Sequence, residues 1–221
     1  MIKIIANSTL LHKIYSKFIR LVPTFFIHNN SKYLTIKKTL FNLWIDGVKG
    51  DLIEFGVFTG SSFRHTIKTE YDLDKESKSM FYGLDSFEGF PESDHEFFKK
   101  SEYSGKYKKV KRYEKIKPDY IHIVKGFFTD SLKSTKLQNV EQLKFVNIDC
   151  DLYVSSIEPI KYIKPRLVNG SYIMIDDFTN IDKNGKNIRN VFYEEFKNSD
   201  YQITGYFGID GVLIRYFGEK D

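Results

Sequence analysis

The chain has 221 residues, 41% of them hydrophobic and 29% charged, with 20 Phe, 15 Tyr and a formal net charge of +5. That length suits about one domain. Ordinary globular usage argues against a disordered or collagen-like chain, and no apolar run approaches the roughly 20 residues of a membrane span. The N-terminus shows no apolar segment followed by a small-residue cleavage site, and Cys150 stands alone, so a cytoplasmic protein without an intramolecular disulfide is expected.

Basic plus aromatic composition invites a nucleic-acid reading, but the charge is uneven. Residues 1–49 hold eight Lys/Arg against Asp46, a net +7. Residues 99–117 hold nine against Glu102 and Glu114, again +7, which leaves −9 on the rest. Such runs are more often solvated surface than interface. The body is acidic, and no nucleic-acid partner is expected.

Taken in chain order, residues 1–48 read as a helical extension. Leu10, Leu11, Ile14, Phe18 and Leu21 recur at helical spacing, as do Leu34, Leu40, Phe41 and Trp44 before Gly47. These apolar helices predict a homo-oligomer, most simply a dimer. The second unit, 49–221, alternates short apolar runs with helical stretches. Strands are predicted at 51–57, 80–85, 120–124, 144–149 and 171–176, with a first helix over 61–70. This is an α/β pattern of parallel βαβ units with helices on both faces of the sheet. Residues 201–206 and 212–217 flank a glycine-bounded turn, predicting a closing antiparallel hairpin.

Open α/β sheets bind ligands beyond the carboxyl ends of their strands. Four of the five predicted parallel strands carry an acid there: Glu54, Asp85, Asp149 and Asp176. The turn after Glu54 holds Gly56 and Gly60, which let backbone approach a ligand closely. It lacks the third glycine of a dinucleotide fingerprint, and Glu54 would repel a pyrophosphate. A carboxylate suits an ammonium or sulfonium charge, and Asp85 can accept both hydroxyls of a ribose. S-adenosylmethionine fits both.

After the fourth and fifth strands stand Asp149-Cys-Asp151 and Asp176-Asp177. Clustered carboxylates repel one another, and a hard divalent cation relieves this with oxygen ligands. Asp149, Asp176 and Asp177 are the expected ligands, while Asp151 reads either as a helix cap, the preferred reading, or as a further ligand.

The blocks GDLIEFGVFTGSS (50–62), YGLDSFEGFP (82–91), KGFFTDSL (125–132), IDCDLYVSS (148–156) and NGSYIMIDDF (169–178) together resemble the macrocin O-methyltransferase family, the S-adenosylmethionine- and magnesium-dependent sugar O-methyltransferases. The resemblance implies a class I methyltransferase sheet and methyl transfer to a hydroxyl of a sugar or glycoside. It implies a cofactor site of Glu54, Gly56, Gly60, Ser61, Asp85, Ser86, Phe87, Gly126 and Phe127. Magnesium ligands would be Asp149, Asp176 and Asp177, with Asp149 and His95 serving catalysis and His95 as the base. The basic 99–117 segment is expected to form a lid. His122 falls in a strand, and His12, His28 and His65 fall on helices or loops, where core or surface roles are expected.

Two alternatives stand beside this reading. A nicotinamide-dependent sugar reductase or epimerase would use Tyr113 and Lys117 as its Tyr-x-x-x-Lys pair, a spacing repeated at Tyr33 and Lys37 in this lysine-rich chain. A nucleic-acid-binding or RNA-modifying protein would use the basic segments.

Overall fold

In the computed structural model, which describes residues 8–90, 104–182 and 184–218, two N-terminal helices lead into a seven-stranded sheet. The helices are α1 (Thr9–Ile19) and α2 (Thr24–Ile45). The strands are β1 (Asp51–Phe55), β2 (Phe81–Asp85), β3 (Ile121–Lys125), β4 (Leu143–Ile148), β5 (Leu167–Ile175), β6 (Tyr201–Phe207) and β7 (Gly211–Tyr216), in the order β3-β2-β1-β4-β5-β7-β6. β1 to β5 are parallel, and β7 runs antiparallel to both β5 and β6. Each expected strand is present, and the hairpin inserts its second strand next to β5. Between strands lie α3 (Ser61–Leu73), the single-turn α4 (Tyr107–Val110) and α5 (Phe128–Ser131), α6 (Tyr153–Ile163) and α7 (Ile188–Glu195).

The period of two along each strand divides the core into two layers. Leu52, Phe81, Phe145, Tyr172 and Met174 pack with α2 and α3 on one face. Ile53, Tyr82, Val146, Ile173 and Ile175 pack with Ile160, Ile163, Val191 and Phe192 on the other. Every residue of β4 is buried, as a central parallel strand requires.

The boundary expected at 48/49 falls at the glycine-rich turn after α2, yet α2 is built into the core. Ile36, Leu40 and Leu43 are at most 1% exposed and share a cluster with Phe63 and Ile67 of α3. In contrast, Leu10, Ile14, Phe18 and Leu21 on and after α1 are exposed. Of the segment expected to be a lid, residues 104–117 pack down on the β1 turn. The Lys106 N–H donates to the Phe58 carbonyl at 3.1 Å, and Val110 is fully buried.

Candidate active site

The strand order reverses direction between β1 and β4, and there the carboxyl ends of β1 to β4 surround a cleft of about 470 Å3. Such a volume suits a small-molecule site. Gly56 and Phe58 line it after β1, Asp85 and Ser86 after β2, Phe127 after β3, and Asp149, Cys150 and Asp151 after β4. Gly56 is required by the close crossing of β1 and β4. Its φ is +89°, and a Cβ there would lie 1.7 Å from the Asp149 carbonyl oxygen.

Backbone conformation marks the same rim. Among the described residues, the non-glycines with left-handed backbone are Phe58, Phe87, Asp151 and Asp177, each just beyond the end of a parallel strand. Strain of this kind concentrates where surrounding structure holds a functional group in place. Two of them fix Asp85. Its Oδ2 accepts the Phe58 N–H at 2.6 Å and its Oδ1 the Phe87 N–H at 2.5 Å. Burial pushes the Asp85 carboxyl up, and the backbone N–H groups of Phe58, Phe87 and Val57 oppose that.

Of the residues expected to bind cofactor, Gly56, Asp85, Ser86 and Phe127 line the cleft. The others stand behind it. Glu54 is buried on the α2 side, accepting from Ser62 Oγ at 2.7 Å and Asn147 Nδ2 at 3.1 Å. Burial pushes its carboxyl up to about 7. Gly60, left-handed at φ +80°, precedes α3 and abuts Tyr113 and Val110, while Ser61 opens that helix and is exposed. Phe87 is buried against Tyr107. The Gly126 N–H donates to the Asp85 carbonyl at 3.0 Å, tying the end of β3 to that of β2. His95 lies outside the described residues. Burial holds the Cys150 thiol well above its usual range, which leaves it a packing residue.

Beside the cleft the acids separate into two groups. Carboxylate oxygens of Asp149, Asp151 and Asp177 lie within 4.8 Å of one another. Asp151 is therefore not the helix cap read from sequence: α6 starts after Leu152 without a side-chain cap, and the left-handed Asp151 turns towards Asp177. Burial, its hydrogen bond to Asp177 and the charges of its neighbours push Asp151 well up, and burial also raises Asp177. Burial raises Asp149 to about 6, with Asp176 and Asp177 adding to the shift and Lys32 opposing it. Asp176, expected among the ligands, instead faces Lys32 and His28. Its Oδ2 accepts from Lys32 Nζ at 2.9 Å and lies 3.2 Å from His28 Nε2. Burial works to raise it, but Lys32 and His28 hold it below its ordinary value.

Lys32 was not singled out from sequence, and His28 was read there only as a core or surface residue. Lys32 Nζ also donates to Asp149 Oδ2 at 2.5 Å. Burial pulls its ammonium down, and the two aspartates outweigh that and hold it well above the usual lysine value. His28 Nδ1 accepts the Ile209 N–H at 3.3 Å, so Nε2 carries the proton that faces Asp176. Both ring nitrogens are thus engaged in hydrogen bonds. Tyr113 packs against Gly60 while Lys117 stacks on Tyr71 and Tyr120, so the Tyr-x-x-x-Lys spacing does not make a catalytic pair.

Residues 30–214 match the macrocin-O-methyltransferase (TylF) family. The chain belongs to that family. A curated relative from Streptomyces olivaceus, the 8-demethyl-8-(2,3-dimethoxy-alpha-L-rhamnosyl)-tetracenomycin-C 4'-O-methyltransferase, is 29% identical over 60% of this chain and 54% of its own length. The mycinamicin III 3''-O-methyltransferase of Micromonospora griseorubida is 26% identical over 60% and 57%. The chain thus spans a little over half the length of these relatives. Among solved structures, the O-methyltransferase NovP superposes with a TM-score of 0.71 over 85% of this chain and 80% of its own, at 19% identity. That likeness establishes the class I methyltransferase fold for this member of the TylF family.

Proposed function

We propose that this TylF-family protein transfers a methyl group from S-adenosylmethionine to a hydroxyl of a sugar, carried by a glycoside or a nucleotide, with magnesium assisting. The observation that carries this reading is that Asp149 and Asp151 belong both to the wall of the cleft and to the acid cluster. A ligand in the cleft and an acceptor held by the cluster would therefore meet at these residues. The names of the relatives, one of them specifying a rhamnosyl-bearing substrate, support a sugar acceptor.

The residues fit both small partners. Asp85, held by two N–H donors, keeps lone pairs for a ribose diol, and Phe127 and Phe58 supply apolar walls. Asp149, Asp151 and Asp177 are an all-oxygen donor set whose mutual repulsion a hard cation relieves. Bound there, S-adenosylmethionine supplies an electrophilic methyl group and magnesium supplies Lewis acidity to the acceptor oxygens. Asp149 orients the acceptor towards the cleft, and much of the acceleration comes from that positioning. We assign the base to His95. Asp176 stands behind the cluster, clamped by Lys32 and His28. The exposed apolar residues of α1 support a homodimer.

Incubating the protein with S-adenosylmethionine, magnesium and a panel of deoxysugar glycosides and nucleotide sugars tests the assignment by mass spectrometry. Methylated sugar and S-adenosylhomocysteine in equal amounts are expected. Formation of neither, with folded protein and cofactor bound, would remove the sugar reading.

A further inference from the structure

Four carboxylates from two adjacent strand ends converge beside the cleft, and the protein sends a cation of its own among them. Lys32 is 5% exposed, although it is a lysine on a helix whose flanks are solvated. It falls in phase with Ile36, Thr39, Leu40 and Leu43, the buried face of α2. A leucine or methionine would complete that stripe. The lysine instead bridges Asp149 Oδ2 and Asp176 Oδ2.

The register of the bridge is fixed from both sides. One turn earlier on α2, His28 holds Asp176 Oδ2 and accepts the Ile209 N–H, and the Ser31 hydroxyl accepts the Gly208 N–H at 3.0 Å. α2 is thereby pinned to the β6–β7 turn at the point where Lys32 enters the cluster. On the sheet side, the alternation that turns Phe145 and Met174 towards α2 also turns Asp149 and Asp176 there. The ammonium therefore has a built seat.

We propose that Lys32 is a built-in cation for the Asp149–Asp176 pair, and that by holding one oxygen of Asp149 it sets how tightly the acid cluster binds a divalent ion. The inference rests on that cluster being the divalent site proposed above. An ammonium and a divalent ion sharing Asp149 repel each other in a poorly screened interior, so Lys32 lowers divalent affinity. It also withholds Asp176, leaving Asp149, Asp151 and Asp177 as the donor set. Lys32 is thus a positioning residue that divides four acids between a resident charge and an exchangeable one.

Manganese, titrated into the full chain and followed by calorimetry and by electron paramagnetic resonance, gives a readout independent of catalysis. Lys32→Met is expected to bind manganese at least about tenfold more tightly than wild type, or to bind it where wild type does not, because a competing charge is gone. Lys32→Arg, which keeps the charge, is expected to stay close to wild type. Asp176→Asn is expected to bind more weakly, and adding Lys32→Met to that variant to restore the affinity, a comparison that holds even if Lys32→Met alone fails to fold. Unchanged or weaker binding in folded Lys32→Met, or equal affinity in Asp176→Asn and the double variant, would overturn the proposal while leaving the metal reading intact. If no form binds manganese, the metal reading fails and this inference fails with it.

Discussion

The backbone N–H of Phe58 donates to Asp85 Oδ2 across 2.6 Å, joining the loop after β1 to the end of β2. Phe58 pays a conformational cost to do so, since its φ is +50°. The Phe87 N–H, from a second left-handed residue, takes the other oxygen. Replacing Asp85 with Ala leaves both donors without their acceptor, and a loss of about 2–4 kcal/mol in stability is expected from two charge-assisted hydrogen bonds. Hydrogen exchange at the Phe58 and Phe87 amides should accelerate in the same variant. Unchanged exchange there would show that the carboxylate does not order the loops.

Glu54 predicts a pH dependence. Burial raises its carboxyl from 4.5 to about 7, so the folded protein keeps a proton that the unfolded chain releases. The stability contributed by that proton is fully present below about pH 4.5 and is lost as pH rises through about 7. Glu54→Gln cannot ionise and escapes the loss, which amounts to something on the order of 3 kcal/mol. Its melting temperature relative to wild type is expected to climb between about pH 5 and pH 8. A difference that does not vary with pH would contradict the buried, protonated carboxyl.

Gly56→Ala tests the crossing of β1 and β4. The new Cβ would collide with the Asp149 carbonyl in a backbone conformation that alanine disfavours. A loss above about 3 kcal/mol is expected, beyond the ordinary range for point substitutions. Denaturant unfolding measures it, and a near-neutral result would mean that the two strand ends can separate cheaply.

Asp177→Asn removes one carboxylate from the three that lie together. Manganese affinity is expected to fall at least about tenfold, since a hard cation depends on charged oxygen ligands. Binding at wild-type strength would place the cation elsewhere.

Much of this arrangement was legible in the chain. The acids at strand ends were visible because the apolar runs of β2, β4 and β5 lead directly into Asp85, Asp149 and Asp176, and the two-residue period fixes which of them share a face. Glu54 was legible as an acid but not as a buried one, since it sits one residue inside β1 and points into the α2 layer. Asp151 followed a helix-capping pattern, yet a left-handed φ redirected it to Asp177. Lys32 and His28 were hidden because their partners lie over a hundred residues away, at Asp149 and Asp176. One signal was present: Lys32 occupies the apolar stripe of α2, where a lysine needs a buried counter-charge.

The cleft beside Asp85 is assigned here to S-adenosylmethionine or its product. Calorimetric titration with S-adenosylhomocysteine, alongside NAD and NADH, tests that assignment most directly. Saturable binding of S-adenosylhomocysteine to wild type is expected, with none of either nicotinamide and a loss of at least about tenfold in Asp85→Ala, as removal of a half-buried charged acceptor entails. Absence of S-adenosylhomocysteine binding, or binding unchanged by Asp85→Ala, would contradict the assignment.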